Sequence, residues 1–429
     1  MRLDHVEIRV PGGLDCPLPR MVPIEQRFVA DRVQDVRAAV RGQMRHLASP
    51  ALRGARIAVT VGSRGIASIC EITSAVITEL RDWGAEPFIV PAMGSHGGAT
   101  AEGQVAVLAE YGITEAIVGA PIRASMDTVV ATRLPDGTAL HVDRIASEAA
   151  AIVVCGRIKP HTDFRGDYES GLYKMLAIGL GKHKGATLLH AHGFEEFPRL
   201  IPDAGRALLK ALPVLTGLAI VENGYHEVMA VEAIAPADWD ERERALLALA
   251  RNAMATLRMR SIDVLIVDEL GKDVSGAGMD PNVTGRGTAA FAKCKPGELP
   301  AVQRIFVRGL SRETDGNACG IGVADVTTLR CVDQIDFGKT YINTITSIEI
   351  GGAKLPLVCN NDREALAVAL RTCKHLEPQE ARVVWIKNTN ALDRIRVSES
   401  VLRDLRIRAD VTVLGPPEPL VFDALGFLA

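Results

Sequence analysis

Aromatic residues make up only 4% of this 429-residue chain, which leaves little for a base-stacking surface. Basic residues are not in excess either. Lys and Arg total 49 against 52 Asp and Glu, a net charge of −3, so no field favours nucleic acid. The eight cysteines (Cys16, Cys70, Cys155, Cys294, Cys319, Cys331, Cys359, Cys373) contain no C-x-x-C pair. That argues against a zinc ribbon, an iron–sulfur site and a disulfide scaffold, and for free thiols in a reducing compartment. No apolar run is long enough to span a bilayer. The first residues, with Asp4, His5 and Glu7, do not form the apolar core of a signal peptide. The expectation is a cytoplasmic protein with no membrane or nucleic-acid partner. The chain has no G-x-S-x-G elbow, HxxxH, HExxH, Walker loop or GxGxxG, no fixed-period repeat and no low-complexity segment.

The length exceeds one ordinary core, so two lobes are expected. Apolar β-branched runs alternate with helical patterns and glycine-rich loops. Ile57–Val61, a helical pattern over Ile66–Leu80 closed by Gly84, and Pro87–Pro91 read as one βαβ unit. Short strands are expected at Val6–Val10, Ala151–Val154, Leu218–Glu222, Val228–Ile234, Val264–Val267, Ile305–Val307, Val383–Ile386 and Val411–Leu414. Val129–Val142 reads as a hairpin around Asp136-Gly137. Trp239–Met259, charged and free of glycine, reads as a long helix bridging the lobes. The fold class is α/β: two lobes, each a βα-alternating, mostly parallel sheet with flanking helices, and an active site in the cleft between them. The expected division is 1–255 for the catalytic lobe and 256–429 for a lobe closing over the substrate.

The chemistry concentrates in Arg157–Gly193, which holds His161, His183, His190 and His192 together with Lys159, Lys174, Lys182 and Lys184. Lys174 lies among apolar neighbours, Leu172-Tyr173-Lys174-Met175-Leu176. A lysine so placed snorkels, is paired, or serves as a nucleophile or covalent anchor. Lys182 and Lys184 lie among Gly and His and read as solvated. Two further loops follow strands: Gly62-Ser63-Arg64-Gly65, which could cradle a phosphate or carboxylate, and Gly94-Ser95-His96-Gly97-Gly98, where small neighbours let the imidazole approach a ligand. Parallel adjacent strands would bring Arg64, His96 and His161 to one rim, with two histidines available as acid and base. Either His190 or His192 could bind a metal. One imidazole does not make a protein metal site, so other ligands would have to come from elsewhere. A second glycine-rich polar loop, Gly271–Gly287, reads as a lid or active-site wall.

Gly94-Ser95-His96, Pro160-His161, Lys174 within Glu169-Ser170-Gly171-Leu172-Tyr173-Lys174-Met175-Leu176, and His190 together resemble the lactate racemase family, whose members use a nickel-pincer nucleotide. The resemblance runs in order from about Arg64 to Arg286. It implies an isomerase, a racemase or epimerase of a 2-hydroxy acid that works by reversible hydride transfer. Lys174 then holds the cofactor covalently, and His190, by its separation from Lys174, is the protein's nickel ligand. His96 and His161 become catalytic on opposite sides of the substrate. Arg64 meets cofactor and substrate carboxylate, with Arg286 as a further substrate cation. The implied partners are the small-molecule substrate and the enzymes that make the cofactor. The chain departs from the family pattern at Val61, where an aspartate is usual, and at Gly285 and Thr288, where a glutamine and a lysine are usual. These departures point to a substrate other than lactate, larger or more polar. Two other classes compete: a hydroxy-acid lyase or dehydratase using the same histidines without nickel, and a non-catalytic organic-anion-binding protein.

Overall fold

The computed structural model describes residues 5–63, 65–287, 300–374 and 377–429. The chain divides into two compact units, Val29–Met254 and Met1–Phe28 with Ala255–Ala429. Both are α/β, with helices flanking mostly parallel sheets.

In the first unit, β2 (Arg56–Val61), β3 (Glu86–Pro91), β6 (Ala151–Arg157), β7 (Val214–Glu222) and β8 (Val228–Ile234) form a five-stranded sheet in the order β3-β2-β6-β7-β8. Only β8 runs antiparallel. Strands β4 (Thr128–Arg133) and β5 (Ala139–Asp143) form the expected hairpin beside it. Side chains of the central strands alternate between two cores. Ala58, Ile152 and Val154 pack on one face, and Ile57, Val59, Val61, Val153 and Cys155 on the other. With both faces covered, each central strand must be largely apolar, which is why β2 and β6 read as apolar runs; the one polar side chain in the buried part of β2, Thr60, accepts from Cys155 N–H at 3.0 Å. The helices Val36–Met44 and Ile69–Asp82 cover the second face. Helices Phe197–Ala211 and Trp239–Ala253 and the segment around Lys174 cover the first.

The second unit holds an eight-stranded sheet. Its strands are β1 (Met21–Gln26), β9 (Ser261–Val267), β10 (Ala301–Val307), β11 (Val326–Thr328), β12 (Leu357–Cys359), β13 (Val383–Ile386), β14 (Arg394–Ser398) and β15 (Val411–Val413), in the order β12-β11-β10-β9-β13-β14-β1-β15. The five from β12 to β13 are parallel to one another, and the pairings β13–β14, β14–β1 and β1–β15 are antiparallel.

Three expectations need amendment. Residues 1–28 do not belong with the first lobe, because β1 pairs with β14 and β15 of the other sheet. Val6–Val10 is not a strand; Val6 N–H instead donates to Asn360 Oδ1 at 2.9 Å. The helix from Trp239 stops at Ala253, where Met254 turns extended (ψ 136°). It packs on its own unit through Trp239, Leu246, Leu247 and Ala250, so it is no bridge. Among the described residues, no helix is long and apolar enough to cross a membrane.

Candidate functional site

The order β3-β2-β6 means the chain leaves β2 to one side for β3 and later returns to the other side for β6. Ligands bind outside the carboxyl ends of strands at such a switch point. Three loops leave this edge side by side: Ser63 after β2, His96 after β3 and His161 after β6. The expectation of one shared rim is met for these loops. Arg64 itself lies outside the described residues.

The segment carrying Lys174 crosses this edge. A short helical turn, Leu172–Lys174, runs into a π-helical stretch, Met175–Gly179, and then into the helix Lys182–His190. Widened turns of this kind recur at functional sites. Glycines permit the close approach: a Cβ on Gly156 would lie 2.9 Å from Met175 Cγ, and one on Gly62 3.4 Å from Met175 Cε. The start of the turn is held from below. Glu243, wholly buried, accepts from Leu172 N–H at 3.1 Å and Tyr173 N–H at 3.2 Å. Burial pushes the Glu243 carboxyl up to about 8.

Lys174 is half-buried, and its Nζ meets Nε2 of His161. His161 is buried, and its Nδ1 accepts from Asp163 N–H at 3.0 Å. Glu169 fixes the loop that carries it. This fully buried carboxylate accepts from His161 N–H at 2.6 Å and Gly166 N–H at 3.1 Å, and pairs with Arg165 at 3.2 Å and Arg251 at 2.6 Å.

The structure separates the two candidate metal ligands. His190 is half-buried, with Phe194 and Phe197 ring centroids 5.6 and 5.2 Å away, and its Nδ1–H donates to Ala186 O at 2.6 Å. Burial is the main reason its pKa falls below the usual histidine value, with the charge of Lys174 adding to the effect. A neutral ring protonated on Nδ1 keeps its Nε2 lone pair for a metal. His192 is exposed and lies 3.5 Å from Thr138 Oγ1 on the hairpin. Phe194 also neighbours His161, at 6.2 Å between centroids, and Phe164 stacks on His161 at 4.4 Å. Three of the chain's ten phenylalanines thus form an apolar wall between the two imidazoles.

His96 is exposed, and its Nδ1 pairs with the Ser63 hydroxyl. Gln104, buried on the following helix, donates to Gly94 O at 3.1 Å and His96 O at 3.3 Å. Lys182 overturns the expectation of a solvated side chain. It is 0% exposed, ion-paired with Asp143 at 3.2 Å, and donates to Pro91 O and Gln104 Oε1. Lys184 is exposed, as expected, and so is His183.

Arg286 does not offer a free cation. It pairs with Asp325 at 2.7 Å and donates to the carbonyls of Val302, Gln303 and Val323, so it pins its own unit together. The Gly271–Gly287 loop is likewise knitted by its own bonds, among them Gly271 N–H to Gly278 O and the Asp280 carboxylate capping Pro281–Thr284. Thr288 lies outside the described residues.

No group of three or more His, Cys, Asp and Glu among the described residues could hold a metal ion. The donors suit a centre that brings its other ligands with it: one neutral imidazole with a free Nε2, and a half-buried amine for covalent attachment. The residues present therefore fit a tethered, metal-carrying organic group.

Residues 26–197 match the family model of the lactate racemase N-terminal domain. No curated protein matches the chain. Among solved structures, the lactate racemase apoprotein from Thermoanaerobacterium thermosaccharolyticum aligns over 87% of this chain and 99% of its own, with 13% identity and a TM-score of 0.49. A Thermotoga maritima protein from the Northeast Structural Genomics Consortium aligns over 83% and 96%, also with 13% identity and a TM-score of 0.49.

Proposed function

We propose that the chain is an isomerase that racemises or epimerises a 2-hydroxy acid other than lactate, a reading supported by the match of residues 26–197 to the lactate racemase N-terminal domain. Lys174 would hold a nickel-pincer nucleotide covalently, and His190 would be the protein's nickel ligand. The group supplies, when bound, a reversible acceptor for the hydride from the carbinol carbon. The observation that carries this reading is the meeting of Lys174 Nζ with His161, beside a histidine whose Nε2 is left for a metal.

The protein's part is orientation and proton transfer. Because His161 Nδ1 accepts the Asp163 amide, its neutral ring carries the proton on Nε2. Lys174 becomes the covalent anchor once its Nζ has lost a proton, since the free amine is the form that makes such bonds. Once Lys174 is tethered, the same Nε2–H faces the substrate oxygen as a donor. His96, held at Nδ1 by Ser63, takes the hydroxyl proton at Nε2 in one direction, and the two exchange roles in the other. Arg64, by its place after Ser63, would hold the substrate carboxylate as a bidentate pair. Phe164, Phe194 and Phe197 exclude water from the flat 2-oxo acid, which is reduced again on its other face.

The test is a panel of enantiopure, C2-deuterated 2-hydroxy acids offered to protein co-expressed with the cofactor-making enzymes. Inversion that retains deuterium at C2, and that is slower for lactate than for a larger acid, is expected. Fully loaded protein that inverts none of them would overturn the reading.

A further inference from the structure

The strongest feature outside the expected site is a buried charge with no role in the proton transfers above. Lys182 has φ +52°, in the left-handed region that suits glycine, and it follows Gly181. A glycine there would relieve the backbone, and an apolar pair in place of Lys182 and Asp143 would spare the burial of two ions. The position holds neither, which points to a task for the ammonium itself.

That task can be traced atom by atom. Nζ donates to Pro91 O, the last residue of β3, at 2.5 Å, and to Gln104 Oε1 at 3.0 Å, and it pairs with Asp143 Oδ2 at 3.2 Å. An ammonium has only hydrogens to offer, so the Gln104 amide must turn its oxygen toward Lys182. Its NH2 then faces the other way and holds the carbonyls of Gly94 and His96. Two backbone bonds tie the same assembly to the Lys174 segment: Gly94 N–H to Gly179 O at 3.0 Å and Asp143 N–H to Leu180 O at 2.7 Å.

We propose that Lys182 is a positioning residue that sets the His96 loop against the Lys174 segment by fixing the orientation of the Gln104 amide. The functional consequence rests on the reading of His96 as a proton-transfer residue; the structural consequence does not. Lys182 touches neither substrate nor cofactor, and its effect passes through Gln104 to the two carbonyls.

Two variants test this. Gln104→Met keeps the side-chain volume and removes the link. The double variant Lys182→Met with Asp143→Leu removes both charges together, so neither leaves an unpaired buried ion. The first readout is the imidazole 15N and 13C signals of histidine-labelled protein. The His96 signals should move or broaden in both variants, while those of His190 stay in place. The second is activity per Lys174-loaded site: kcat should fall at least about tenfold with KM nearly unchanged, the signature of a misplaced catalytic group. Variants that melt earlier yet keep the His96 signals would show a purely structural lysine and overturn the proposal. If no loaded protein, wild type included, turns over any hydroxy acid, the functional reading fails, and the imidazole signals still decide the positioning claim.

Discussion

His190 donates its Nδ1–H to the carbonyl of Ala186, one helical turn earlier, at 2.6 Å. This contact fixes the ring's orientation and its tautomer together, and leaves the Nε2 lone pair for the proposed nickel. His190→Ala should therefore strip nickel from co-expressed protein while leaving the fold intact. His192→Ala, on an exposed ring beside the hairpin, should leave nickel unchanged. Elemental analysis of the two purified variants checks both.

The two proposed proton-transfer residues should be separable from the anchor. His96→Ala and His161→Ala should each lower inversion by about 100-fold or more while Lys174 stays modified. Ser63→Ala should cost less, about tenfold, because it only releases the His96 ring. Steady-state kinetics with parallel intact-mass measurement tells loss of catalysis from loss of loading.

Glu169 gathers two backbone amides and two arginines around the His161 loop. Both arginines keep contact with water, so Glu169→Ala should cost about 2–3 kcal/mol rather than the full cost of a stranded buried ion. A lower urea midpoint for the Val29–Met254 unit, with loss of activity beyond that of destabilised controls, is the expected outcome.

Glu243 makes stability depend on pH. Its folded pKa is raised, chiefly by burial, from 4.5 to about 8. Between those values the folded state holds a proton that the unfolded chain releases, so this residue's contribution to stability falls as pH rises through that window. Glu243→Gln keeps an acceptor for the Leu172 and Tyr173 amides and removes the titration. Urea melts from pH 5 to 9 should show a flatter pH slope for the variant than for wild type.

Much of this architecture is legible in the sequence because burial on both faces of a sheet leaves apolar runs. β2, β3, β6 and β13 carry that mark, in stretches that are almost wholly apolar and buried. β1 does not: MVPIEQ contains proline and polar residues, and its partners lie hundreds of positions away in β14 and β15. The Lys174 neighbourhood could be singled out because one cation among apolar residues is a local signal. Lys182 could not. Pro91, Gln104 and Asp143 are far from it in sequence, and its glycine and histidine neighbours resemble those of a solvated loop. Arg286 shows the opposite: a cation in a polar loop reads as available, while Asp325 and three carbonyls distant in sequence hold it. Glu169 and Glu243 gave no warning either, since an ordinary glutamate reads as surface until the fold buries it.

The central claim is a covalent, nickel-holding group on Lys174. Intact-mass analysis, peptide mapping and nickel content of the full chain, co-expressed with the cofactor-making enzymes, test it most directly. The account predicts an added mass on the peptide containing Lys174, with nickel bound in equal amount, and neither in Lys174→Ala. An unmodified Lys174 without nickel, in a preparation where a lactate racemase expressed alongside is fully loaded, would contradict it.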